Sequence, residues 1–113
     1  MKKVKIDEIF KEYFYVLKFL DKSPNSSQRR IAKDLGVSLG KINYTLKALK
    51  NKGYIKLSNF KRNKKKINYI YILTPRGIMI KTELAYKFMK EKFREYEELK
   101  EEIDKYEKNE NKR

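Results

Sequence analysis

The sequence predicts a mainly α chain with one small β-hairpin, an α+β arrangement that ends in a single long helix. Three observations predict it. Between residues 28 and 52, a short amphipathic segment, a glycine-bearing turn and a second, capped amphipathic segment follow one another. Two runs rich in β-branched and aromatic residues come next, joined by a cationic link. After Gly77 neither glycine nor proline interrupts the chain. This order and spacing describe a winged helix-turn-helix head over residues 1–77, a long amphipathic helix over 78–108 and a disordered tail over 109–113.

The first helix is expected over Lys5 to Leu20. There Ile6, Ile9, Phe10, Tyr13, Phe14, Val16, Leu17 and Leu20 recur at helical spacing. Asp21 to Asn25 breaks it, since Pro24 disfavours helix at Ser23. The second helix runs from Gln28 to Leu35, with Ser26 or Ser27 as N-cap and Gly36 as the residue that ends it. Ile31, Ala32 and Leu35 form its buried stripe. Ser38 caps the third helix, which continues to about Lys52 and turns Ile42, Leu46 and Leu49 inward; Gly53 stops it. Strands are expected at Tyr54–Phe60 and Ile67–Leu73, linked by Lys61–Lys66. Thr74 followed by Pro75 reads as an N-cap with proline at the first helical position, so the last helix starts there and can run to about Tyr106.

Composition removes several classes of function. The chain has no cysteine and no histidine, so disulfides, thiolate metal sites and the commonest general base are absent. Neither a metal site nor a cofactor is expected, and no enzymatic activity. No apolar run is long enough for a transmembrane helix, and the N-terminus becomes acidic where a signal peptide would become apolar. No basic amphipathic helix stands apart from the core pattern, so a membrane partner is not expected either. A cytoplasmic, nucleoid-associated location is the expectation.

Charge carries the positive evidence. Net charge is +15, and residues 1–77 hold 20 basic against 5 acidic side chains, whereas residues 78–113 hold 10 of each. Between Asp34 and Glu83 lie 48 residues without a carboxylate, 12 of them Lys or Arg. Such sorting points to a polyanion partner for the head, namely double-stranded DNA.

The third helix is then the element that enters the major groove. Its outward residues are Ser38, Leu39, Gly40, Lys41, Asn43, Tyr44 and Lys47. Asn43 can bond adenine in bidentate fashion, Lys41 can reach guanine or phosphate, and Tyr44 can meet phosphate or sugar. Gln28, Arg29 and Arg30 open the second helix. Cations in the first turn oppose the helix dipole unless an anion lies there, which again suggests phosphate beside Arg29, Arg30 and Lys41. Gly40 weakens its helix, which makes sense where backbone approaches DNA closely. The link Lys61, Arg62, Asn63, Lys64, Lys65 and Lys66 supplies a cationic wing tip for the DNA backbone or a minor groove.

The run from Ser27 through Tyr44, its continuation Leu46 to Gly53, and the close Leu73-Thr74-Pro75-Arg76-Gly77 resemble the MarR group of bacterial winged-helix regulators. The segment Ser38-Leu39-Gly40-Lys41-Ile42-Asn43-Tyr44 is most similar to a subgroup associated with exopolysaccharide. The resemblance spans roughly residues 8 to 105. It implies sequence-specific DNA binding as a dimer and a link to surface-polysaccharide genes. Arg30 departs from the Glu often found there, which leaves the second helix without a reciprocal capping partner. The extra helices that frame a ligand pocket in larger relatives are missing, so no small-molecule ligand is expected.

In the last helix a heptad seam runs through Ile78, Thr82, Ala85, Met89, Lys92, Tyr96, Leu99, Ile103 and Tyr106. Ile80, Leu84, Phe88 and Phe93 widen the apolar face of its first half. Tyr15 and Phe19 lie outside the main apolar arc of the first helix and need a cover. The broad half of the last helix, from the same chain or its mate, can provide it. The homodimer interface expected from this pattern comprises Tyr15, Phe19, Ile78, Leu84, Ala85, Phe88, Met89, Lys92, Tyr96, Leu99 and Ile103. The resulting reading is a homodimeric transcriptional regulator. The alternative is an interaction protein, or a plasmid replication or partition protein, whose head binds nucleic acid non-specifically or at an origin.

Overall fold

The structure, a computed structural model, describes residues 2–63 and 66–111, with side chains described for residues 8–59 and 69–110. In chain order the elements are α1 (Lys2–Lys22), α2 (Gln28–Leu35), α3 (Leu39–Asn51), β1 (Ile55–Asn63), β2 (Lys66–Leu73) and α4 (Pro75–Asn111). The core is a cluster of Val16, Leu17 and Leu20 from α1, Ile31 and Ala32 from α2, Ile42, Leu46 and Leu49 from α3, and Ile55 from β1. Burying each large apolar side chain there contributes about 1.5–3 kcal/mol.

The helix-turn-helix is set by local chemistry. The Ser27 hydroxyl accepts a hydrogen bond from the Arg30 amide and the Ser38 hydroxyl accepts one from the Lys41 amide, each at 3.1 Å. Gly36 takes φ +71°, a left-handed conformation that returns its amide to the last carbonyls of α2. Ile42, Leu46 and Leu49 are fully inside, as their spacing requires.

The two strands pair antiparallel, from Ile55 opposite Leu73 to Asn63 opposite Lys66. They are longer than the sequence pattern suggests: Lys61, Arg62 and Asn63 continue β1 and Lys66 opens β2. The register slips between Lys61 and Asn63, a bulge of the kind that bends and twists a hairpin near its tip. On one face burial falls with distance from the head, from Ile55 inside to Leu57 and Tyr69 outside, so the hairpin projects as a wing. Lys64 and Lys65, and the side chains of Lys61, Arg62, Asn63 and Lys66, lie outside the described residues.

α1 corrects two expectations. Ile9 is half exposed, because packing against the core begins one turn further along, at Tyr13. Phe19 is half-buried against the core rather than on an open face; it stands three residues after Val16 and so at the margin of the same arc. Tyr15 remains exposed.

α4 shares its apolar residues between two faces. Ile80, Leu84 and Phe88, at successive i+4 steps, turn toward the chain's own head: Leu84 is buried and the Phe88 ring meets Phe14 edge-on at 5.7 Å. Leu84 and Phe88, included in the expected dimer interface, therefore pack against the chain's own head, the same-chain cover that the sequence pattern also allows. A Lys81–Asp21 ion pair at 2.6 Å ties the same stretch to the end of α1. Beyond Glu91 every described side chain of α4 is exposed. The helix is a continuous 37 residues, about 55 Å, and reaches Asn111, past the point where fraying was expected. The molecule accordingly measures 77 × 24 × 23 Å.

One corner joins head, wing and α4. The Thr74 hydroxyl donates to the Gly53 carbonyl at 2.5 Å and accepts from the Gly77 amide at 3.1 Å. The Thr74 amide donates to the Tyr54 carbonyl at 3.0 Å. A Cβ on Gly77 would lie 1.9 Å from that same carbonyl oxygen, whereas a Cβ on Gly40 would meet nothing within 4 Å. Gly77→Ala should therefore cost about 1–3 kcal/mol of overpacking in urea melts. Gly40→Ala should instead raise stability by up to about 1 kcal/mol. Equal midpoints for the two variants would contradict the tight corner.

Candidate nucleic-acid interface

The N-terminal half of α3 and the start of α2 form one cationic face. Tyr44, Lys47, Lys41, Gly40 and Leu39 are exposed on α3, Ser38 precedes them, and Arg29 and Arg30 are exposed on α2. Among the described residues Arg29, Tyr44 and Lys47 make no side-chain hydrogen bond or ion pair within the chain, so their groups are available to a partner. Tyr44 is 76% exposed, the highest among the exposed large hydrophobic residues described.

The other members of the set are engaged. Gln28 and Asn43 are half-buried, and the Asn43 amide donates to the Gln28 side-chain carbonyl at 3.2 Å. This bond uses one N–H of the Asn43 amide and ties its side chain to Gln28. Arg30 pairs with Asp34 one turn on at 3.6 Å; both are well exposed, so this pair adds little to stability. The Ser38 hydroxyl is committed to its cap.

Lys41 stands differently from what the sequence suggests. Its ammonium lies 3.0 Å from one carboxylate oxygen of Glu12, and the other oxygen accepts the Thr45 hydroxyl at 3.0 Å. The charge conflict in the first turn of α3 is thus relieved by α1, without an external anion. Sequence reasoning missed Glu12. Its signal was present, since a carboxylate one turn before Val16 shares the buried side of α1.

Tyr13 lies behind this face. Burial pushes its phenol above the ordinary value of 10.0, and Tyr44, Tyr54 and Glu12 add to the rise. It stays protonated, against the core.

A family model described as winged helix-turn-helix DNA-binding matches residues 16–56, which span the core of α1 through the start of β1. No curated protein sequence matches the chain. Solved structures do. Lactococcus lactis ZitR, a zinc-responsive MarR family member, is 25% identical and aligns over 80% of this chain and 58% of its own, with a TM-score of 0.56. Streptococcus pneumoniae FabT, solved in complex with DNA, is 24% identical over 74% of this chain and 57% of its own, TM-score 0.54. The PcaV transcriptional regulator of Streptomyces coelicolor is 18% identical over 70% and 55%, TM-score 0.58. The fold is that of MarR-family regulators. The chain spans under three fifths of the length of these proteins.

Because the Tyr13 phenol is harder to ionise folded than unfolded, the unfolded chain loses its proton first as pH rises. The stability it carries is complete below pH 10 and is lost as pH climbs through the raised folded value. Tyr13→Phe should flatten the alkaline fall in urea-derived stability above pH 10; an identical fall in both proteins would contradict the raised ionisation.

Proposed function

We propose that this chain is a MarR-type transcriptional regulator that binds duplex DNA as a homodimer. The observation that carries the reading is the exposed α3 face, where Tyr44, Lys47 and the neighbouring Arg29 are unengaged beside an Asn43 tied to Gln28. α3 enters the major groove, Asn43 reads a base edge, and Tyr44 with the cations fixes phosphates. Ser38 and Gly40 let the backbone of the first turn come close, and the cationic link Lys61, Arg62, Asn63, Lys64, Lys65 and Lys66 is assigned, on its sequence alone, to the DNA backbone or a minor groove. FabT, with the same fold, was solved on DNA, which supports the assignment. The zinc response of ZitR is not carried over, because this chain has neither histidine nor cysteine.

The second subunit meets the outer face of α4. Ile78, Met89, Tyr96, Leu99, Ile103 and Tyr106 are each more than half exposed along one seam, with Ala85 and Lys92 between them. A row of this length is uncommon without a partner surface. Heptad spacing makes a second copy of the same helix its natural cover. The likeness of the Ser38–Tyr44 segment to exopolysaccharide-associated regulators supports surface-polysaccharide genes as the targets.

A duplex selected from a random pool should bind at least about 10³-fold better than random sequence at physiological salt. Log K against log salt should slope between about −5 and −9, for six to ten phosphates across the dimer. Equal affinity for both duplexes would favour a non-specific or origin-binding role. Leu99→Glu with Ile103→Glu touches no buried position. It should halve the mass seen by light scattering and weaken binding to the selected duplex on the order of 10²-fold. A double variant that keeps the dimer mass would overturn the α4 interface.

A further inference from the structure

Glu12 is the one acidic side chain among the described residues that reaches the DNA-facing helix α3. It belongs to α1 and its side chain is only 11% exposed, while Lys41, which it holds, is 57% exposed. Both carboxylate oxygens are used, one by the Lys41 ammonium and one by the hydroxyl of buried Thr45, each at 3.0 Å. Lys41 and Thr45 are one turn apart on α3, so the grip is two-point.

From this geometry we infer that Glu12 is a positioning residue that limits affinity: it withholds Lys41 from phosphate. The inference rests on the DNA-binding reading above and deepens it. For Lys41 to reach DNA, the pair must break and leave a mostly buried carboxylate unpaired, a costly state. Lys41 therefore does not join the cations that release counterions on any duplex, whatever its sequence. Non-specific affinity scales with the number of such cations, whereas base reading by Asn43 does not. Taking one cation out of the count lowers affinity for every duplex alike and leaves discrimination to the base contacts.

The test is the salt dependence of binding to a random-sequence duplex and to a duplex selected from a random pool, with thermal melts of each variant alongside. Glu12→Gln keeps an acceptor for Thr45 and removes the charge that holds Lys41. It should tighten random-duplex binding about three- to tenfold and steepen its slope by about 0.9, the value of one added phosphate contact. Affinity for the selected duplex should rise by a similar factor, so that preference between the two duplexes stays unchanged. In a Lys41→Met background the same substitution should leave the slope where it was. Lys41→Met alone, at an exposed position, should flatten the slope far less than Lys47→Ala does.

An equal effect of Glu12→Gln in both backgrounds would mean that only its long-range charge acts, and would overturn the inference. So would an unchanged slope with a lowered melting temperature, which is the mark of a purely structural pin. A Lys41→Met slope loss as large as that of Lys47→Ala would overturn it even if Glu12→Gln failed to fold. Wild-type protein that binds steeply while Glu12→Gln is silent removes the role of Glu12 alone. Wild-type protein that does not bind duplex DNA removes the functional reading and this inference with it.

Discussion

The head depends on the enclosure of α1 by other elements along more than one side. Val16, Leu17 and Leu20 supply a third of the buried core cluster. Phe14 turns toward Phe88 of α4, and Glu12 reaches across to α3. A helix-turn-helix of 8 and 13 residues has too little apolar surface of its own to stay folded, since short isolated helices are marginal in water. Packed against α1 it acquires a core, and the direction in which α3 points is settled by the same contact. The wing adds Ile55 to that core and otherwise leans outward.

What could be read from the sequence was what local chemistry decides. Caps at Ser27 and Ser38, the left-handed Gly36 and the inward triad Ile42, Leu46 and Leu49 depend on residues within two turns of one another, and they stand where their pattern puts them. The strands were found but cut short, because Lys61 to Asn63 carry the composition of a loop while the backbone keeps pairing through them. Periodicity names a face but not its neighbour. The expected dimer interface placed Leu84 and Phe88 beside the seam residues of α4, although the former turn to α1 and the latter do not. Periodicity also put Phe19 on an open side, when its three-residue step from Val16 brings it to the core margin. Glu12 and Gly77 act across 29 and 23 residues of chain, on Lys41 and Tyr54, and no local rule exposes such pairings.

The charge pattern also reads differently once folded. A stretch of 48 residues without a carboxylate suggests an uninterrupted cationic face. Folding brings carboxylates back at chosen places: Glu12 against Lys41 and Asp21 against Lys81. Arg29 and Lys47, which make no ion pair among the described residues, stand next to Gln28 and one turn after Asn43, the half-buried hydrogen-bonded pair. Net charge thus measures attraction toward a polyanion, while the internal pairing decides where on the head that attraction is felt.

The corner at Thr74 and Gly77 has a mechanical consequence. α4 is a lever of about 55 Å hinged at that corner, and a tilt of only 10° would carry its far end through about 10 Å. Two heads joined through their levers would lose any fixed separation if the hinges gave way. Here the hinge is clamped on three sides: by the Thr74 hydroxyl on Gly53, by the Tyr54 carbonyl seated against Gly77, and by the Arg76 guanidinium over the Tyr54 ring at 5.9 Å. Tyr54 is itself hydrogen-bonded to the last turn of α3. The orientation of the long helix is therefore transmitted, without a flexible linker, to the base of α3.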